Sequence, residues 1–216
     1  MKTTISRRGC EGLTFWEVII VLAVLAAIGM FLSPWTSRPK ITSKRITCVN
    51  NLNQVGLVAR MLSDSDEKFP WQLETNYGGT LEWAWTKEVY RHYQAMSNEL
   101  MDPKFLFCPS DSQRYPAVKF DRLSNTNVSY FLGLLVRWSA VEEVLSGDRN
   151  LALTNQLPAG VYGLTSNMNL TFSATQHKLA GNIGLMDGSV QQVANSNLSR
   201  TFFNWYLPPT NWVAVP

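Results

Sequence analysis

The sequence predicts an α+β protein in which a long N-terminal helix packs on a small antiparallel β-sheet domain, and three observations carry that expectation. Residues 13 to 33 form an almost unbroken apolar run. Residues 38 to 62 repeat mostly apolar side chains at steps of four and three, the period of a helix with one buried face. Near the C-terminus two short strand-like runs flank Asp187-Gly188, the strongest local hairpin signal in the chain.

Composition sets the frame. A chain of 216 residues with 45% hydrophobic content and 8 tryptophans can build one globular core with an appendage, which argues against a disordered chain. Of 19 basic and 16 acidic side chains, Lys2, Arg7, Arg8 and Glu11 precede the apolar run, so the remainder carries 16 and 15. A body so close to neutral has no broad electrostatic footprint for nucleic acid, and no nucleic-acid partner is expected. The three cysteines, Cys10, Cys48 and Cys108, form no Cys-x-x-Cys pair, so a structural metal cluster is not indicated.

The first element is the apolar run itself. From Leu13 to Ser33 only Thr14, Glu17, Gly29 and Ser33 are not strongly apolar, and 21 helical residues would reach about 31 Å, one hydrocarbon core. The basic leader ahead of it predicts a cytoplasmic N-terminus. Glu17 is discordant, because a carboxylate inside a lone membrane helix costs about 2.5–3.5 kcal/mol and asks for a partner. No Lys or Arg occurs between Arg8 and Arg38, but cleavage after Gly12 would place the α-amino group of Leu13 one helical turn from Glu17. Pro34 lacks the N–H that a continuing helix needs and is expected to kink it.

Gly12-Leu13-Thr14-Phe15-Trp16-Glu17, with the basic leader and the aliphatic run, resembles the processing site of type IV prepilins and of the pseudopilins of type II secretion. That resemblance implies that prepilin peptidase cuts after Gly12, that Leu13 becomes the methylated terminus, and that Glu17 pairs with a neighbouring subunit's terminal amine during assembly. Leu13 stands where the family usually has phenylalanine, and Trp16 where it usually has an aliphatic residue. The resemblance also makes the fold pilin-like, with one long helix whose first half spans the membrane and whose second half is amphipathic.

The second half is expected over residues 34 to 62. Ile41, Arg45, Cys48, Leu52, Val55, Ala59 and Leu62 form its stripe, with Lys44, Asn50, Asn51, Asn53 and Arg60 largely elsewhere. Ser63 to Pro70 reads as its end. Beyond it, Thr80–Trp85 and Phe105–Asp111 read as short strands, the latter stopping in a turn, and a polar helix begins near Lys87. Asn127–Gly133 reads as a central strand because β-branched and aromatic residues occupy it. Gly147-Asp148-Arg149-Asn150 reads as a turn in a solvated loop. The segment 201–207 is apolar enough to be a docked helix or strand, and the proline-rich tail after it is a poor regular element.

A second resemblance lies in the hairpin. His177, nine residues and then Asp187-Gly188 resemble a His-x9-Asp-Gly signature near the C-terminus of pilin-like proteins common in Verrucomicrobia and Planctomycetes, and the Cys48–Leu57 segment and Phe69-Pro70 fit the same group. The hairpin can bring His177 and Asp187 together for a structural hydrogen bond. A bound ion and a catalytic pair are the other readings of those two residues. Cys48 and Cys108 are either a disulfide stapling helix to sheet or two buried thiols. No nucleophile elbow, zincin pair or phosphate loop occurs, so no catalytic residue and no cofactor is expected.

The expected organisation is a cleaved leader over 1–12, a transmembrane and assembly half-helix over 13–33, an amphipathic half-helix over 34–62 and a periplasmic α+β domain over 63–216. The expected function is a pseudopilin or minor pilin, not an enzyme. It would be held in the bacterial inner membrane as a single-pass protein and then added to a filament. Its partners would be prepilin peptidase, other pilin subunits and an inner-membrane assembly platform. The alternative is a membrane-anchored periplasmic module that binds carbohydrate or peptide through Trp71, Trp83, Trp85 or Trp138.

Overall fold

A computed structural model of the chain describes residues 14–32, 40–63, 68–203 and 209–216. Gly12, Leu13 and Pro34, with the expected leader, lie outside the described residues. The chain divides into two compact units, Met1–Lys40 and Ile41–Pro216.

The first unit contains α1 (Phe15–Leu32), 18 residues long. Its start follows from Thr14-x-x-Glu17, the sequence of a capping box, whose Glu17 half is formed: the carboxylate accepts from the Thr14 backbone N–H at 2.7 Å and from its hydroxyl at 2.8 Å. Two expectations are corrected here. Instead of one long helix, α1 and α2 (Lys40–Leu62) are separate elements, and the interval between them carries Pro34 and Pro39, neither of which can donate to a helical ladder. Among the described residues no helix is long and apolar enough to cross a membrane, which removes the single-pass inner-membrane placement. At 1.5 Å per residue, α1 reaches about 27 Å, short of a hydrocarbon core of about 30 Å.

In the second unit α2 buries Cys48, Leu52, Val55 and Ala59, the expected stripe, together with Val58. This face packs into a cluster with Trp71, Tyr93, Met96, Tyr130, Leu132 and Leu145. The polar side of α2 is not simply solvated. Asn51 donates to the Phe107 carbonyl, Asn53 to Gly188 and Arg60 to Asp187, so the helix grips two loops by three backbone oxygens.

Among the described residues eight strands follow: β1 (Tyr130–Gly133), β2 (Val144–Asp148), β3 (Leu151–Ala152), β4 (Gly160–Thr165), β5 (Thr171–Phe172), β6 (Ala180–Leu185), β7 (Val190–Ala194) and β8 (Thr210–Val215). Six of them form one antiparallel sheet in the order β4-β8-β1-β2-β6-β7, and β3 pairs with β5 as a separate ribbon. Alternation along β1 places Tyr130 and Leu132 against the α2 side and Phe131 in a second cluster. That second cluster holds Phe172 of β5, Ile183 of β6 and Leu198 and Phe202 of α5 (Asn195–Phe202). The centre of the sheet is therefore buried on both faces, and β1 and most of β2 read as apolar or small-residue runs for that reason.

Three local expectations change. Thr80–Trp85 contains a 3-10 turn over Leu81–Trp83, and Phe105 lies in another over Pro103–Leu106, started by Asp102 accepting from the Lys104 N–H. The tail supplies β8, an interior strand paired with β4 and β1. Two helices complete the unit, α3 (Tyr90–Ala95) and α4 (Ser97–Leu100).

Candidate functional site

A cluster of the second unit's buried polar side chains lies at the end of β2. Asp148, Arg149 and Asn150 are all buried, which corrects the solvated-loop reading of this stretch. Arg149 reaches Asp111 with two hydrogen bonds, from Nε at 2.7 Å and from Nη2 at 2.9 Å, and Gln176 donates to the same carboxylate at 3.0 Å. A guanidinium buried at this depth is tolerable only because a planar, two-pronged partner meets it.

Asn150 holds the next loop. Its amide donates to the carbonyls of Ser173, Gln176 and Ala180. Between those anchors His177, Lys178 and Leu179 all adopt positive φ, at 41°, 53° and 63°. Three consecutive left-handed residues with side chains cost roughly 1–2 kcal/mol each and persist only where surrounding contacts dictate them. Arg45 of α2 adds one such contact, donating to the His177 carbonyl at 2.9 Å.

The loop aims the His177 ring into the cluster. Its Nε2 lies 3.4 Å from Asp148 Oδ2, 3.2 Å from Asn182 Nδ2 and 3.4 Å from Cys108 Sγ. Asp148 Oδ2 also accepts from the N–H and the side-chain amide of Asn182. Burial lowers the His177 pKa to about 4, with nearby Arg45 acting in the same direction. Burial raises that of Asp148 to about 7, against the hydrogen bonds from Asn182. Near pH 7 the imidazole is thus neutral, while the Asp148 carboxyl is divided between its two protonation states. The Asn182 amide assigns the ring proton to Nδ1 and leaves the Nε2 lone pair inside the cluster.

Cys48 of α2 and Cys108 are joined by a disulfide, with Cα atoms 5.0 Å apart. The bridge lies beside His177: one ligating atom each from Cys48, Cys108 and His177 falls within 4.8 Å of the others. Four acceptor oxygens of this region, Asp148 Oδ1, Asn150 Oδ1, Gln176 Oε1 and Asn182 Oδ1, are buried without a hydrogen-bond partner. A pocket of ≈ 610 Å³ adjoins the cluster, lined by Lys44, Arg45, Ser110, Gln176, His177 and Lys178 among others.

His177 and Asp187 are not brought together. His177 precedes β6 and Asp187 follows it, and six extended residues separate their ends by about 20 Å. Asp187 instead shapes the β6–β7 turn, its carboxylate accepting from the Ser189 N–H, while Gly188 takes φ 87°, a conformation favourable to glycine. The turn docks on α2 through Arg60 and Asn53. Glu17 stands at the start of α1 in its capping box. Of the tryptophans considered for ligand stacking, Trp71 is buried against Phe69, Trp83 lies under Arg91, Trp138 under Arg60, and Trp85 meets Trp212 edge-on.

Sequence reasoning missed Asp111, Asp148, Asn150 and Asn182. The one available signal was the apolar flank on both sides of Gly147–Asn150, which suits a buried strand end as well as a turn. No protein-family model, curated protein or solved structure matches the chain.

Proposed function

We propose that the chain is a structural subunit of a filament of the type IV pilus or type II secretion kind, released by prepilin peptidase cutting after Gly12 and assembled through α1. The observation that carries this reading is α1 itself. Phe15, Trp16, Ile20, Leu22, Leu25 and Met30 are all exposed, so apolar side chains surround a helix whose sole charge is Glu17 in its first turn. Exposed apolar surface of this extent marks an association site. Packing α1 against its counterparts in a filament would cover that surface, and a cut at Gly12 would bring a new terminal amine to a neighbour's Glu17. The body would be the rigid cargo of that helix, with the Cys48–Cys108 bridge fixing α2 to it.

The capping box gives the test its discrimination. Glu17→Gln keeps a side chain that can accept from Thr14 but removes the charge, whereas Glu17→Ala removes both. If Glu17 serves assembly as a charge, both variants are processed to begin at Leu13 and both fail to enter filaments. Filament incorporation of Glu17→Gln at the wild-type level overturns the proposal, as does a native N-terminus that still carries Met1.

A further inference from the structure

The proximity of a thiol pair, an imidazole and a buried carboxylate has a use that filament assembly does not require. We propose that Cys48, Cys108 and His177 form a thiol-dependent transition-metal site, closed while the disulfide stands and able to take one Zn2+-like divalent ion once it is reduced.

The geometry points this way at several places. The His177 Nε2 lies 3.4 Å from Cys108 Sγ and 3.4 Å from Asp148 Oδ2, the latter long for a hydrogen bond to oxygen. In a tetrahedral zinc site, ligand bonds of about 2.3 Å to sulfur and about 2.0–2.2 Å to nitrogen or oxygen give edges of about 3.6 Å for N···S and about 3.4 Å for N···O. The His177–Cys108 spacing therefore matches one edge of a coordination tetrahedron, and Asp148 lies just outside the ligand set. Cys48 and Cys108 lie on different elements, but the bridge sets their Cα atoms 5.0 Å apart, so freed thiols remain neighbours. His177 presents a lone pair at Nε2, the form in which imidazole ligates.

The second observation is independent of the sulfurs. Asp148 Oδ1 is fully buried and has no hydrogen-bond partner, although Oδ2 of the same carboxylate accepts twice. Asp148 borders the ligand set through Oδ2, 3.4 Å from His177 Nε2, and an unsatisfied buried acceptor on the same carboxylate is a favourable neighbour for a cation. Two thiolates and one divalent ion sum to neutral charge, which suits an interior where a lone cation would be costly. The adjoining pocket reaches His177 and supplies a way in from solvent.

The steps balance with a dithiol as the reductant. The Cys48–Cys108 bond breaks as it takes up two electrons and two protons, and the dithiol closes to its own disulfide. Binding of the divalent ion then forms two metal–sulfur bonds and one metal–nitrogen bond, and the two thiol protons pass to solvent.

The test uses the full chain in a Cys10→Ser background, so that only two thiols remain. After reduction with dithiothreitol and anaerobic removal of the reductant, the chain is titrated with Co2+ and followed by absorbance and circular dichroism. The expected result is one equivalent bound, with thiolate-to-cobalt charge transfer and the intense visible bands of tetrahedral cobalt, and neither signal from the oxidised chain. His177→Gln should weaken binding at least tenfold while the oxidised variant keeps its fold. A reduced, folded chain without charge transfer overturns the proposal. Equal binding by His177→Gln does so as well, and so does unfolding of the reduced chain despite excess Co2+, because ion binding to a formed site would hold the fold together.

Discussion

Replacing Cys48 and Cys108 together with alanine tests what the bridge does for the body. The two cysteines are 60 residues apart in sequence, so the bridge closes a long loop in the unfolded chain. Loop-closure entropy for that span is about 14 cal/mol/K, or about 4 kcal/mol at 25 °C. Both side chains are fully buried between α2 and the segment following the Pro103–Leu106 turn, so the lost sulfur contacts add to the loss rather than offset it. For a protein of this size each kcal/mol shifts Tm by about 2–4 °C, and the double variant should melt about 8–16 °C lower. Urea unfolding of the full chain, oxidised wild type against the variant, measures the same difference as free energy. A loss below about 1 kcal/mol would refute the reasoning, because residues 48 and 108 would then already be close in the unfolded chain or would not be joined in the native one.

Asp111→Ala leaves the buried Arg149 guanidinium without its two-pronged partner and removes the acceptor for Gln176, and should cost about 3–5 kcal/mol in urea unfolding. Arg149→Met with Asp111→Leu should cost less than that single change, and a double variant that is worse than Asp111→Ala would contradict the account of an uncompensated charge. His92 is buried, bonds Thr80 through Nδ1 and has its pKa lowered by burial to about 4. The unfolded chain gains a proton on this ring near pH 6.5 while the folded chain does not until about 4, so stability falls as the pH drops through that window. Asp148 works in the opposite direction, its raised pKa favouring the folded state on acidification, but it is common to wild type and variant. His92→Gln should therefore lose about 3 kcal/mol less than wild type between pH 6.5 and 4, read by urea unfolding at a series of pH values. Parallel curves for the two proteins would exclude His92 as a source of acid sensitivity.

Several elements were legible because their cause is local. The β6–β7 hairpin follows from Asp187-Gly188, and Gly188 does take the positive φ that such a turn needs. The buried face of α2 follows from the spacing of Cys48, Leu52, Val55 and Ala59. Thr14-x-x-Glu17 is likewise a local signal: the partner of Glu17 is three residues away in the same helix start, not a distant counter-ion. Summing apolar residues 13 to 33 as one continuous span, and extending it through Pro34, gave a single membrane-crossing helix where the fold has α1 and a separate α2.

What the sequence by itself determined was where short-range chemistry sets the backbone: turn, cap, helical stripe and the aromatic centre of β1. Only the tertiary structure decided that the C-terminal tail enters the sheet between β4 and β1, and that Asp148, Arg149 and Asn150 face inward. A polar residue is burial-competent only when a partner meets it, and here the partners are remote. Arg149 needs Asp111, Asp148 needs Asn182, and the His177 loop needs Arg45, 132 residues earlier in the chain. Local periodicity carries no information about such pairings, because desolvation of each group is offset by a hydrogen bond that exists only after the chain has folded.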